Sequence, residues 1–179
     1  MREYTLERFQ KEIAVCDYIR DYVNVEEFLE CCRVCPNYNT VWSCPPYDFA
    51  PVKDYWEKYE SLEVHAYKIN FPEGITYDKS EEIMLEVKKK LTAELFALEE
   101  ENPGSVSLSA GNCLICGKGG CNRSSGQPCR HPDKMRYSIE SIGGNVGKTV
   151  HDLLKLELEW VEEGKMPSYY ILVGGLLKK

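Results

Sequence analysis

Cysteine sets the strongest constraint on this chain. Nine cysteines occur in 179 residues, and seven of them fall in two groups, Cys31/Cys35/Cys44 and Cys113/Cys116/Cys121/Cys129. An odd number cannot all pair, so at least one thiol is free. The start of the chain, Met1-Arg2-Glu3-Tyr4-Thr5-Leu6, lacks the charged-then-apolar pattern of a secretory signal, and no run approaches the roughly 20 apolar residues of a membrane span. The chain therefore reads as cytoplasmic, where reduced thiols ligate metal or do redox chemistry more often than they form structural disulfides. A net charge of −7 removes the basic footprint that nucleic acid requires. The length suits one domain, residues 1–179.

In the first group, Cys31 and Cys35 stand four apart at the end of a helical pattern, Val25 to Val34, in which Val25, Phe28, Leu29 and Cys32 recur at steps of three to four. On a helix the two thiols project from one face, about one turn apart. Pro36 stops the helix, and an ordered loop rich in proline and aromatics returns Cys44 to the same place. Cys35-Pro36 and Cys44-Pro45-Pro46 share a trait with bacterial ferredoxins, in which proline after a ligand turns the chain away from the cluster. Cys32 points off the shared face, as a core residue or, if the helix unwinds, as the fourth ligand. Cys16 is the rival fourth ligand, although within Ile13-Ala14-Val15-Cys16-Asp17-Tyr18 it reads more simply as a core cysteine. Plain burial is the bland alternative for the group, and it leaves the prolines unexplained. Three thiolates on a four-iron cluster would leave one iron open. By analogy with zinc, closed sites are structural and open sites catalytic.

The second group supplies four thiols within seventeen residues, as C-x₂-C-x₄-C-x₇-C, interleaved with Gly111, Gly117, Gly119, Gly120 and Gly126. Glycine permits the positive φ angles and the inward N–H groups that a cluster-wrapping loop needs. Zinc is the competitor, but structural zinc sites usually show two C-x₂-C knuckles and only one is present. Arg130, with the start of a helix over Pro132–Ile142, is placed to stabilise a negative cluster, and His131 is a ligand, a proton donor or a hydrogen-bonded structural histidine. Arg136 and Glu140, four apart on that helix, suit a surface ion pair. Gly147-Lys148-Thr149 looks like the end of a phosphate loop, but Ile142 stands where that motif needs glycine, so no ATP site is expected.

The remaining pattern predicts a strand over Leu62–Ile69, a long helix over Ser80–Glu101, a strand over Ser105–Ser109, a helix from Val146 to about Val161, and a central strand Tyr169–Val173 closed by Gly174-Gly175. The fold class is α+β (or α/β): a small sheet covered by helices, with two cysteine-rich loops.

Cys31-x₃-Cys35-Pro36-x-Tyr38, Trp42-Ser43-Cys44-Pro45-Pro46, and Cys113-x₂-Cys116 through Cys129-Arg130-His131-Pro132, Arg136, Ser138 and Glu140 together resemble the domain-of-unknown-function family 2284, described as predicted metal-binding. The resemblance spans roughly Cys31 to Val146. The chain departs from the family pattern at Tyr137, where proline is usual, and at Gly144-Asn145, where Ile-Asp is usual, so the likeness bears on the cysteines more than on that helix and turn. It implies metal binding, an anaerobic bacterial or archaeal setting, and redox partners related to corrinoid or methyl-transfer proteins.

The leading expectation is two [4Fe–4S] clusters, one closed for electron transfer and one open for binding or reducing a small molecule. The alternatives are a pure electron carrier with two fully ligated clusters, and a zinc-binding structural or adaptor protein. No residue is marked as catalytic, and the oligomeric state is not specified.

Overall fold

The structure, a computed structural model, describes residues 4–162 and 165–179. Met1 to Glu3, at the head of the segment read for a signal, lie outside them. Eight principal elements follow in order: β1 (Thr5–Ala14), α1 (Val15–Tyr22), α2 (Val25–Arg33), β2 (Ser61–Asn70), α3 (Tyr77–Glu101), β3 (Val106–Leu108), α4 (Val146–Asp152) and β4 (Tyr169–Lys178). A π-helical turn over Pro51–Tyr55 and several 3-10 turns join them. The strands form one antiparallel sheet in the order β1-β2-β4-β3, so the fold is α+β rather than α/β.

Each face of the sheet has its own core. On α3 the step-of-four stripe Ile83, Val87, Leu91 and Leu95 is buried against Tyr67 and Ile69 of β2. Leu62, Val64 and Ala66, on the other side of the β2 pleat, meet Tyr18, Trp56, Ile139, Ile142 and Val150. Each such side chain contributes roughly 1.5–3 kcal/mol by leaving water. Two buried bonds fix this second layer: Trp56 Nε1 donates to the Ile142 carbonyl at 2.9 Å, and the Tyr18 and Thr149 hydroxyls bond at 2.7 Å. Thr149 is thus committed to the core, and Lys148 Nζ donates to the Asp21 carbonyl at 2.7 Å.

Several elements differ from the sequence pattern. β1 has no alternation, because its apolar residues Leu6, Phe9 and Ile13 are three and four apart; it is a charged edge strand held by full register with β2, from Thr5↔Asn70 to Ala14↔Ser61. β4 runs straight through Gly174 and Gly175, which pair with His65 and Val64. The helix expected over Pro132–Ile142 is absent, apart from a 3-10 turn at Glu140–Ile142. Ser109 instead draws the segment into an extended path, its N–H donating to the Tyr137 carbonyl at 2.8 Å. Ser138 and Ser141 exchange side-chain bonds with each other's backbone N–H at 3.0 and 3.3 Å. Serine hydroxyls offer the backbone an alternative to the helix ladder. α4 stops at Asp152 rather than near Val161, because Lys155 takes a φ of +57°. Leu154, Leu156 and Leu158 then reach the core at steps of two. Among the described residues no helix is long and apolar enough to cross a membrane.

Candidate metal centre

β3 delivers the chain past buried Ala110 into the second cysteine group. Cys113, Cys116, Cys121 and Cys129 line one cavity of about 150 Å³, with Trp42, Ser43, His131 and Met135 completing the wall. That space is several times the ~30 Å³ share of one water molecule. The loop winds by short turns, Gly117 N–H to the Leu114 carbonyl and Gly120 N–H to the Gly117 carbonyl, both at 3.0 Å, with the two glycines at φ +58° and +63°. Backbone donors already face sulfur. The Trp42 N–H donates to Cys121 Sγ at 3.4 Å, and the backbone N–H groups of Ile115 and Arg136 act to favour the Cys113 thiolate. Burial nonetheless pushes the Cys113 thiol up from its ordinary value, with the Cys116 and Cys129 charges adding to it.

The first group is arranged differently from the i, i+4 reading. α2 ends at Arg33, and the Cys35 N–H turns back to the Cys32 carbonyl at 3.0 Å. Cys31 and Cys35 are exposed, whereas Cys32 and Cys44 are half-buried. Burial pushes the Cys32 thiol up to about 11, and the charges of Cys44, Cys35, Glu140 and Cys31, in that order, add to the effect. Burial raises Cys44 as well, with Cys35 and Glu140 adding. Cys32 is therefore the inward thiol of α2 and Cys31 the outward one. Cys16 is exposed on α1, where Val15 and Tyr18 are the buried residues, so it is not a core cysteine, and it does not line the cavity of the second group. Among the described residues, no three of His, Cys, Asp and Glu converge tightly enough to form a ready-made metal ligand set.

α2 is held in place from outside. Asn24 caps its first turn, accepting from the Glu27 N–H at 3.2 Å, and the Asn24 N–H donates to the Gly143 carbonyl at 2.8 Å. A Cβ on Gly143, at φ +90°, would lie 2.7 Å from Val25 Cγ2, so only glycine lets the turn approach the helix this closely.

The two groups are neighbours. Ser43, 1% exposed, accepts from the Cys113 N–H at 2.9 Å, and its hydroxyl lies 3.9 Å from Cys44 Sγ. Arg123, between the third and fourth cysteines of the other group, donates to the Val41 carbonyl at 3.0 Å and to the carbonyls of Cys44 and Pro46, and stacks over Trp42 at 4.9 Å. Behind them, Lys88 Nζ and Glu140 Oε1 approach the same side of Gly111, at 3.6 and 4.0 Å from where its Cβ would be. Burial lowers the Lys88 ammonium and raises the Glu140 carboxyl; Lys88 also senses Cys113 and Cys44, one from each group.

Of the flanking residues expected from sequence, Arg130 donates to the Gly120 carbonyl and so clips the glycine loop. The His131 ring lines the cavity and, among the described residues, makes no side-chain hydrogen bond. No helix begins at Pro132, so the dipole expected there is replaced by the individual backbone donors. Arg136 pairs with Glu99, by two bonds of 2.7 Å, not with Glu140. Ser43 and Glu140 entered the sequence reading only within the family motifs, Glu140 also as a surface partner of Arg136, and Arg123 and Lys88 were not marked at all. Of the two unmarked residues, Lys88 had a visible signal, a charge seven residues before Leu95 on the edge of the apolar stripe.

A family model described as predicted metal-binding protein, domain-of-unknown-function family 2284, matches residues 19–177. The chain belongs to this family. Family 2284 thus covers both cysteine groups and extends beyond the resemblance seen in the motifs, while Cys16 lies outside the matched span. Searches of curated proteins and of solved structures gave no match. For a predicted metal-binding protein of family 2284, the donor chemistry is that of a soft metal: all-sulfur groups, N–H donors directed at two of the sulfurs, and buried thiols whose crowding a bound cation would relieve.

Proposed function

We propose that the protein carries two [4Fe–4S] clusters, one held by Cys113, Cys116, Cys121 and Cys129, the other by Cys32, Cys35 and Cys44. Four thiols around a single cavity, with backbone N–H groups already directed at sulfur, carry this reading. Zinc–thiolate sites share the donors but are built more often on two C-x₂-C knuckles.

Bound there, such clusters would supply one-electron transfer, and a cluster held by only three protein thiolates would leave one of its irons with a binding position for a small molecule. The residues do the rest. Ser43, bonded to the backbone of one group and beside the sulfur of the other, keeps the two sites at a fixed short separation. Arg123 ties the Cys44 loop to the segment bearing Cys121 and offsets its negative charge. In the first group the two half-buried thiols Cys32 and Cys44, with Cys35 bonded to the Cys32 turn, make a set of three. Cys31 shares a peptide bond with Cys32 and faces solvent, which makes it a poor fourth. The open position, and hence any reaction, belongs to this group. A reducing compartment such as the cytoplasm and a redox protein as electron partner complete the reading.

Anaerobic reconstitution with iron and sulfide tests it. The expected product is brown, with about eight irons per chain. Colourless protein holding stoichiometric zinc after anaerobic purification overturns it. Added cyanide or thiol should alter the electron paramagnetic resonance signal of one cluster only; two unchanged signals would leave a pure electron carrier.

A further inference from the structure

A second cavity adjoins that of the second cysteine group. Between α3 and the Cys113–Ile115 loop lies a cleft of about 230 Å³. Its floor is apolar, formed by Leu95, Phe96, Leu114 and Ile115, yet Lys88, Lys89, Lys134 and Arg136 also line it, in a chain of net charge −7. Two of these cations are committed. Arg136 is held by Glu99 and lies over Phe96, 5.1 Å from the ring centroid. Lys88 is buried and donates to the Asn112 carbonyl at 2.7 Å, with Glu140 nearby. Lys89 and Lys134 are exposed, and among the described residues neither ammonium has an ion-pair or hydrogen-bond partner. The cleft thus combines an apolar floor with two uncompensated positive charges.

These features select a ligand class. An inorganic anion would meet the two ammonium groups but leave the apolar floor uncovered. A neutral hydrocarbon would leave the two ammonium groups without a role. We propose that the cleft binds a small organic acid, its apolar body on the Leu95/Phe96/Leu114/Ile115 floor and its carboxylate between Lys89 and Lys134. An engineered apolar cavity of about 150 Å³ admits benzene. The cleft, at about 230 Å³, admits one ring with a short acidic arm, or an aliphatic acid of similar bulk. It shares Asn112, Cys113, Leu114 and Ile115 with the cavity of the second cysteine group, so the bound acid lies against one wall of that site. The assignment rests on the fold alone and does not depend on which metal the cysteines hold.

Calorimetric titration of the full chain at low salt, with hydrocinnamate, hydrocinnamide and inorganic phosphate as probes, tests the assignment. Hydrocinnamate should bind at one saturable site, with affinity falling as salt is added, and the neutral amide should bind about tenfold more weakly or worse. Phosphate should give no comparable binding. The double variant K89E/K134E, changed only at exposed positions, should weaken the acid by about tenfold while leaving the amide unchanged. Ala93→Phe, at an exposed position on the cleft wall, should weaken both organic probes with little effect on melting temperature. Equal affinity for acid and amide, indifference of the acid to charge reversal, phosphate binding as tight as the acid, or no saturable binding at millimolar concentration overturns the proposal.

Discussion

Adjacent thiols can have opposite environments. Cys31 and Cys32 share the last turn of α2, yet one is exposed and the other turns toward Cys44 and Glu140. If Cys32, Cys35 and Cys44 hold the first cluster, Cys32→Ser should lower reconstituted iron from about eight to about four per chain. Cys16→Ser and Cys31→Ser should leave it near eight, as checked by iron assay. Ser43 is the other decisive single residue. Replacing its hydroxyl leaves the half-buried Cys113 N–H without this acceptor, a cost of about 1 kcal/mol. Ser43→Ala should therefore lower the denaturant midpoint and disturb the spectra of both metal sites, since the hydroxyl reaches each group.

Elements place these residues only because other elements hold them. α2 meets the Gly143 turn so closely that Gly143→Ala adds a 2.7 Å contact with Val25 to an unfavourable positive φ. The expected loss is about 2–4 kcal/mol in thermal or chemical unfolding, with iron lost from the first group before the second. On the opposite side, Arg136 links the extended 135–138 segment to α3 through Glu99. Burial alone would raise the Glu99 carboxyl, but bonds from Arg136 and Ser107 outweigh it and hold Glu99 below the ordinary carboxylate value. With the folded-state pKa depressed, this pair's stabilisation is complete above the ordinary value of about 4.5 and is lost as pH falls through the lower folded value. Both side chains are mostly buried, 16% and 14% exposed, so Glu99→Gln should cost about 2–4 kcal/mol at neutral pH. Urea midpoints measured across the acid range should show a flatter pH dependence in the variant than in the parent.

For the molecule as a whole, metal and fold should be linked, since Cys35, Cys44 and all four cysteines of the second group lie in segments with little regular structure of their own. Removing metal with a chelator should lower the melting temperature and increase proteolysis within residues 36–47 and 113–131 first, leaving the sheet and α3 protected. Equal protection with and without metal, by limited proteolysis, would contradict this. What the sequence by itself determined is the thiol-rich, metal-binding character and the surest elements. Cysteine spacing announced a thiol-rich centre, the step-of-four stripe announced α3, and alternation announced β2, because each signal is local and periodic. The edge strand β1 escaped, since its register comes from β2 and not from its own pattern. The helix expected at Pro132–Ile142 failed because Ser109, Ser138 and Ser141 offered its backbone partners that no local window contains. Only the tertiary structure decided that Cys32 faces inward, that Ser43 joins the two cysteine groups, and that Lys88 and Glu140 meet beside Gly111 behind them. Those contacts unite residues far apart in sequence, and long-range packing rather than local preference selects which side of each segment is buried.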